Sequence, residues 1–170
     1  MKKVLLAAML LFQTAAYAQY KEVAIISEKD EMTGKQTLYP SRNFVICNSS
    51  KSVGFTVMGF ISADVRLTNI AIKMVGLGAC ADNSELIILF QDERRVVIKS
   101  WNKFNCEGNA YFMLTPSDVQ LLSTYPMLKM RVTNGRTKDQ YTGEVPLEDA
   151  NYFIDIIKAA KSKTIIELKN

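Results

Sequence analysis

The chain has 170 residues, of which 48% are hydrophobic, and 21 Lys and Arg against 17 Asp and Glu give a net charge of +4. This apolar fraction excludes a disordered tail, and the length suffices for one domain with a buried core. The nearly balanced charge argues against a nucleic-acid partner, because phosphate binders concentrate Lys and Arg on one face.

The first residues have the three parts of an export signal. Lys2 and Lys3 form a positive segment, the apolar run 4–12 follows, and Ala16 and Ala18 are the small residues that signal peptidase requires. That run is too short to span a bilayer, and no cysteine stands at the cleavage point to carry a lipid. We therefore expect a signal peptide at 1–18 and one globular domain at 19–170, periplasmic or secreted, without stable membrane insertion after signal removal.

From residue 19 to about residue 100 the sequence predicts antiparallel β-strands. Short runs rich in Val, Ile and Phe are separated by Gly, Asn, Asp or Ser, with no room for helical crossovers. The predicted strands are 20–27, 43–47, 53–61, 70–75, 86–90 and 96–101. The best local hairpin in this half joins 86–90 to 95–98 through the charged turn 91–94. Its first arm is apolar on both faces, which predicts a central strand.

The second half predicts helices as well. Thr115 is a predicted N-cap, with Pro116 at the first helical position and Asp118 placed as in a capping box. The short helix that follows must end near Tyr125, because Pro126 disfavours helical geometry in the residue before it.

The next segment alternates between apolar and polar residues. We expect a strand at 127–134 that turns three side chains to the core, Leu128, Met130 and Val132. Asn134 and Gly135 form the strongest short hairpin signal in the chain, and they predict a tight hairpin with either a two-residue or a three-residue loop. The second arm, 137–145, is polar enough for a sheet edge.

After Pro146 the sequence predicts the longer helix. Over 147–161 apolar residues recur at helical spacing, namely Ala150, Phe153, Ile154, Ile157 and Ala160. A last short strand is expected at 164–168. The fold predicted from all these elements is α+β, with a mainly antiparallel β sheet, open or curled into a sandwich, and one short and one longer helix in the C-terminal half.

After removal of the predicted signal peptide the chain has three cysteines, in a compartment that favours oxidation of thiols to disulfides. Cys80 and Cys106 lie at loop ends that flank the same predicted hairpin, so we expect them to pair. Cys47 lies in an apolar run and is expected to be a small buried hydrophobic residue. The sequence leaves the pairs Cys47–Cys80 and Cys47–Cys106 open.

The chain contains no histidine, which excludes Ser-His-Asp and Cys-His catalysis and histidine-based metal or haem sites. We predict no catalytic residue, no metal site and no cofactor. Four acids, Asp82, Glu85, Asp92 and Glu93, could form a hydrolase pair of carboxylates. Their positions in a loop and a turn favour ordinary solvated acids.

Aromatic and cationic residues are densest at Lys99, Trp101, Lys103, Phe104 and Tyr111. Such a mixture can form a binding face, since Trp and Tyr offer rigid contact area and cations stack on them. Our leading hypothesis is a non-enzymatic envelope protein that binds a protein, a glycan or a small ligand on its sheet. The alternative is a secreted or periplasmic hydrolase inhibitor, and a histidine-free hydrolase is the third hypothesis.

Overall fold

The computed structural model describes residues 23–78, 80, 82–101, 106–162 and 165–167. These residues contain eleven strands, two α-helices and a 3-10 turn at Leu147–Asp149. The strands are β1 (Ile25–Lys29), β2 (Gln36–Pro40), β3 (Phe44–Cys47), β4 (Gly54–Ile61), β5 (Leu67–Val75), β6 (Glu85–Phe90), β7 (Arg95–Lys99), β8 (Asn109–Met113), β9 (Met127–Thr133), β10 (Gln140–Glu144) and β11 (Ile165–Glu167). The helices are α1 (Pro116–Thr124) and α2 (Tyr152–Ser162). The predicted signal peptide lies outside the described residues.

The strands form three sheets. The β4 sheet has the order β3-β4-β5-β8, the β6 sheet has the order β10-β9-β6-β7, and the small sheet has the order β11-β1-β2. Only β11 and β1 run parallel among the named pairs. The predicted α+β class, mainly antiparallel with a short and a longer helix, is therefore confirmed.

The β4 sheet and the β6 sheet enclose a common core. A bridge between Ser100 and Phe112 joins them on one side. On the other side β10 lies against β3, where a Cβ on Gly143 would stand 2.2 Å from the side chain of Ile46. The ring of Phe55 on β4 also contacts Tyr141 on β10, with centroids 6.3 Å apart. The two sheets are thus curled around one apolar cluster.

The hairpin of β6 and β7 is confirmed, and so is the central position predicted for its first arm. Leu89 pairs with Arg95 across the charged turn, and β6 lies between β9 and β7. Its three inward side chains, Leu86, Ile88 and Phe90, are fully buried. The sequence did not predict β2 and β8. Each becomes a strand with one buried face only by pairing with its partner, β1 or β5.

Two predictions for β9 and β10 are wrong. Leu128 is 39% exposed and Met127 is buried instead, because the pairing of β6 with β9 shifts register between Leu89 and Phe90. Asn134 does not begin a tight hairpin: the loop runs from 134 to 139, and Gln140 pairs with Thr133. The shorter β10 still lies at the edge of its sheet, as predicted.

The short helix α1 begins as predicted. The Thr115 hydroxyl accepts from the backbone N–H of Asp118, and the Asp118 carboxylate accepts from the backbone N–H of Thr115. The helix ends at Thr124, with Tyr125 extended before Pro126.

The longer helix begins later than predicted. Asp149, in the 3-10 turn, is held by Arg42, and α2 starts only at Tyr152. This turn shifts the buried stripe to Tyr152, Phe153, Ile156 and Ile157, while Ile154 is half-buried. Neither helix in the described ranges is long and apolar enough to cross a membrane.

The disulfide between Cys80 and Cys106 is present, as predicted. It joins the loop before β6 to the loop before β8, so the alternatives that use Cys47 are excluded. Cys47 is a free thiol at the end of β3, opposite Gly54. It is half-buried, which corrects the expectation of a buried residue.

Candidate functional site

An aromatic strip crosses the outer face of the β4 sheet. We define it as Trp101, two residues after the end of β7, with Tyr111 on β8 and Phe60 on β4. The rings of Trp101 and Tyr111 have centroids 6.1 Å apart, and those of Tyr111 and Phe60 lie 5.9 Å apart. Trp101 is 56% exposed and Phe60 is 38% exposed. The strip therefore presents apolar rings to solvent beside a well-packed core.

A backbone hydrogen bond fixes Trp101 at this face. Its N–H donates to the carbonyl of Tyr111 at 3.1 Å, and the preceding residue, Ser100, bridges to Phe112. Alternation along β8 buries Ala110 and Phe112 and turns Tyr111 outward. The junction of the two sheets thus holds the tryptophan next to the tyrosine.

A small residue on β5 lets the rings of β4 and β8 meet. Ala71 pairs with Tyr111 on one side and with Met58 on the other. Strands two apart in a sheet are separated by about 9.5 Å, which large side chains span only if the intervening residue is short. Phe60 pairs with Asn69, so its ring reaches Tyr111 diagonally past Ala71, which is only 9% exposed.

The structure brings together only part of the predicted patch. Trp101 and Tyr111 are in contact, and Lys99 lies exposed on the outer side of β7. Lys99 stands opposite Glu85 in the β6–β7 pairing, so its charge has an acidic neighbour. Lys103 and Phe104 lie outside the described residues.

The four acids of the hydrolase hypothesis do not converge. Asp82 lies in the turn before β6 and Glu85 begins that strand, whereas Asp92 and Glu93 lie in the turn after it. The six-residue strand separates the two groups by roughly 17 Å. Asp92 instead pairs with Arg94 at 3.1 Å. No three Cys, Asp or Glu side chains cluster as metal ligands within the part of the chain that the structure describes.

A cluster of polar side chains is buried beneath α2. Arg42 forms an ion pair with Asp149 and lies over the ring of Tyr152, 5.5 Å from its centroid. The Tyr152 hydroxyl donates to the carbonyl of Arg42 at 3.0 Å and accepts from the N–H of Gly59 at 3.2 Å. Burial raises the pKa of Tyr152 to about 12, so the phenol stays protonated near neutral pH. These contacts anchor α2 to β4 and to the residue just before β3.

An apolar groove of about 700 Å³ lies between the β4–β5 turn, the start of α1 and the end of α2. Its apolar lining includes Val65, Leu67, Met113, Val119, Ile157 and Ala160. Met113, which is 61% exposed, lies both at the groove and beside Asn69 on the outer face of the β4 sheet.

Sequence reasoning missed Phe60, Met113 and the groove. The alternation of β4 carried one signal, since it places Phe60 on the same face as Thr56 and opposite the buried Phe55 and Val57. The groove left no local signal, because its walls come from segments far apart in the chain.

Comparison of the chain with protein-family models, with curated proteins and with solved structures finds no significant match.

Proposed function

We propose that this chain is an exported, non-enzymatic binding module that recognises a protein partner in the envelope through the aromatic strip. The observation that carries the proposal is the exposed Trp101 held against Tyr111 and continued by Phe60. Exposed apolar surface of this kind, placed on a rigid sheet, is a mark of interaction sites.

The composition of the strip favours a protein over a glycan. Its three residue types, Trp, Tyr and Phe, are enriched at the cores of protein interfaces. The planes of Trp101 and Tyr111 meet at 41°, so the two rings form a corner rather than one flat platform for a sugar. If the partner is a hydrolase, the same surface makes the chain an inhibitor.

Two features support export. Residues 1–18 have the charge, length and small residues of a secretory signal. The Cys80–Cys106 disulfide belongs to the oxidising chemistry of the periplasm or the exterior.

The proposal is tested by photo-crosslinking in the envelope. A photoreactive amino acid at position 101 is expected to capture one specific protein, and the same probe at position 147 is not. Leu147 is a matched control, since it is 72% exposed and lies outside the strip. Purified partner should then bind Trp101→Ala at least tenfold more weakly than the unmodified chain, because a central Trp commonly contributes about 2 kcal/mol to an interface.

Leu147→Ala should bind the partner as the unmodified chain does. Equal crosslinking from both positions, or equal affinity of Trp101→Ala and Leu147→Ala, would exclude the strip as the binding surface. Loss of affinity in Trp101→Ala for an oligosaccharide but for no protein would assign the strip to a glycan.

A further inference from the structure

We propose that the groove between the β4–β5 turn and the two helices binds a single-chain amphiphile with an anionic head, such as a long-chain fatty carboxylate. The site is separate from the recognition of a protein by Trp101 and does not depend on it. Its volume of about 700 Å³ lies within the range of small-molecule sites.

The walls of the groove suit an acyl chain. The groove is lined with the hydrocarbon and thioether side chains of Leu67, Met113, Ile157 and Ala160, of which Met113 is the most exposed. Val65 completes the rim in a left-handed conformation, φ 59°, that a β-branched residue rarely adopts. Such strained residues concentrate at ligand clamps and active sites.

Backbone groups beside the groove are already hydrogen-bonded to each other and are not free to pair with a peptide. The N–H of Leu114 already donates to the carbonyl of Thr68 at 2.9 Å, and the N–H of Ser62 donates to the carbonyl of Arg66 at 2.8 Å. An extended peptide gains affinity by pairing with a free strand edge, and these segments are paired with each other. An acyl chain needs no hydrogen bonds and can fill the same space.

The charge at the rim selects an anionic head. Three charged side chains line the groove, namely Asp64, Arg66 and Lys161. Arg66 donates from Nε to the Asp64 carboxylate at 2.6 Å, which neutralises both. Lys161, at the end of α2, has no carboxylate partner among the described residues and leaves one positive charge beside the apolar walls.

The test is calorimetric titration of the purified protein with octanoate, decanoate, dodecanoate and tetradecanoate, each below its micelle concentration. The dissociation constant should fall about fourfold for each added methylene until the groove is filled. Lys161→Glu should weaken dodecanoate about fivefold, and it should strengthen dodecyltrimethylammonium, whose head is cationic. Ala160→Phe should abolish binding by filling the groove.

Lys158→Glu is the matched control, because Lys158 lies on the same helix, is exposed and does not line the groove. It should bind dodecanoate within twofold of the unmodified protein, as should Trp101→Ala. No saturable binding, no dependence on chain length, or equal effects of Lys161→Glu and Lys158→Glu would overturn the proposal. Binding to phosphatidylglycerol vesicles without binding of monomeric dodecanoate would overturn it in favour of a membrane surface.

Discussion

Tyr152 shows how one polar atom in the core fixes the position of an element. Its hydroxyl satisfies a backbone N–H on β4 and a backbone carbonyl just before β3, while its ring packs against Phe44 with centroids 5.0 Å apart. A buried N–H without a partner destabilises a fold by more than its hydrogen bond stabilises it. The hydroxyl of Tyr152 therefore contributes to stability beyond the packing of its ring.

We therefore expect Tyr152→Phe to lower the free energy of unfolding by about 2 kcal/mol, because it leaves the Gly59 N–H buried without its acceptor. Tyr39→Phe is the matched control, since the Tyr39 hydroxyl contacts Glu28 at 3.2 Å in an exposed pair. It should change stability by less than about 0.5 kcal/mol. Urea unfolding at pH 8 of both variants measures the difference, and equal effects would contradict it.

Tyr152→Phe should also change how the free energy of unfolding depends on pH in the alkaline range. Because the pKa of Tyr152 is raised to about 12, the unfolded chain releases this proton first, near its ordinary pKa of about 10. This part of the stability is fully present below pH 10 and is lost as the pH rises through 12. Between pH 8 and pH 11 the unmodified chain should lose about 1.4 kcal/mol more than Tyr152→Phe. Cys47→Ala in both proteins prevents its thiol from attacking the disulfide at high pH.

At the scale of elements, the loop between β9 and β10 joins two parts of the fold. Asn134 is fully buried, and its side-chain amide donates to the carbonyl of Leu77 at 2.8 Å. Its side-chain oxygen accepts from the N–H groups of Arg136 and Thr137 at 2.9 and 3.2 Å. One asparagine therefore closes its own loop and binds the segment after β5.

Asn134→Ala should lower the free energy of unfolding by about 2 kcal/mol, since it removes three hydrogen bonds made by a fully buried side chain. Asn43→Ala, at an exposed residue before β3, should be nearly neutral. Guanidinium unfolding compares the two. A cost for Asn134→Ala no larger than that for Asn43→Ala would show that the residue acts only as a turn former.

These contacts mark the limit of what the sequence could predict. The cap of α1 and the hairpin of β6 and β7 were predictable, because their determinants lie within a few residues of each other. Asn134 was misinterpreted as a tight turn because its true partner, Leu77, is distant in sequence. The same reason hid the contact of Phe60 with Tyr111, which requires β5 between them. Caps and hairpins formed by neighbouring residues were predictable, whereas contacts between segments distant in sequence were not.

At the scale of the whole molecule, the disulfide lies near the joint between the β4 and β6 sheets. Cys80 precedes β6 and Cys106 precedes β8, while Ser100 bridges to Phe112 and the N–H of Trp101 donates to the carbonyl of Tyr111 at 3.1 Å. The covalent link therefore reinforces the side on which a few backbone hydrogen bonds connect two large sheets.

Closing the 26-residue separation should stabilise the fold by about 3.5 kcal/mol, because it removes conformational freedom from the unfolded chain. That contribution depends on the compartment, since a reducing cytoplasm keeps thiols free. A chain exported through residues 1–18 should begin at Gln19 and carry the disulfide. A chain expressed without them should retain three thiols and unfold with about 3.5 kcal/mol less free energy.

Exported Cys80→Ala/Cys106→Ala should match the stability of the reduced chain, and exported Cys47→Ala should keep both the disulfide and most of the stability. Peptide mapping without reduction, combined with urea unfolding, measures both properties. A disulfide peptide that contains Cys47, or equal stability of the oxidised and reduced chains, would contradict this assignment. With these outcomes, the stability of the joint depends on export, because only the oxidised chain has a covalent bond that holds the two sheets together at this joint.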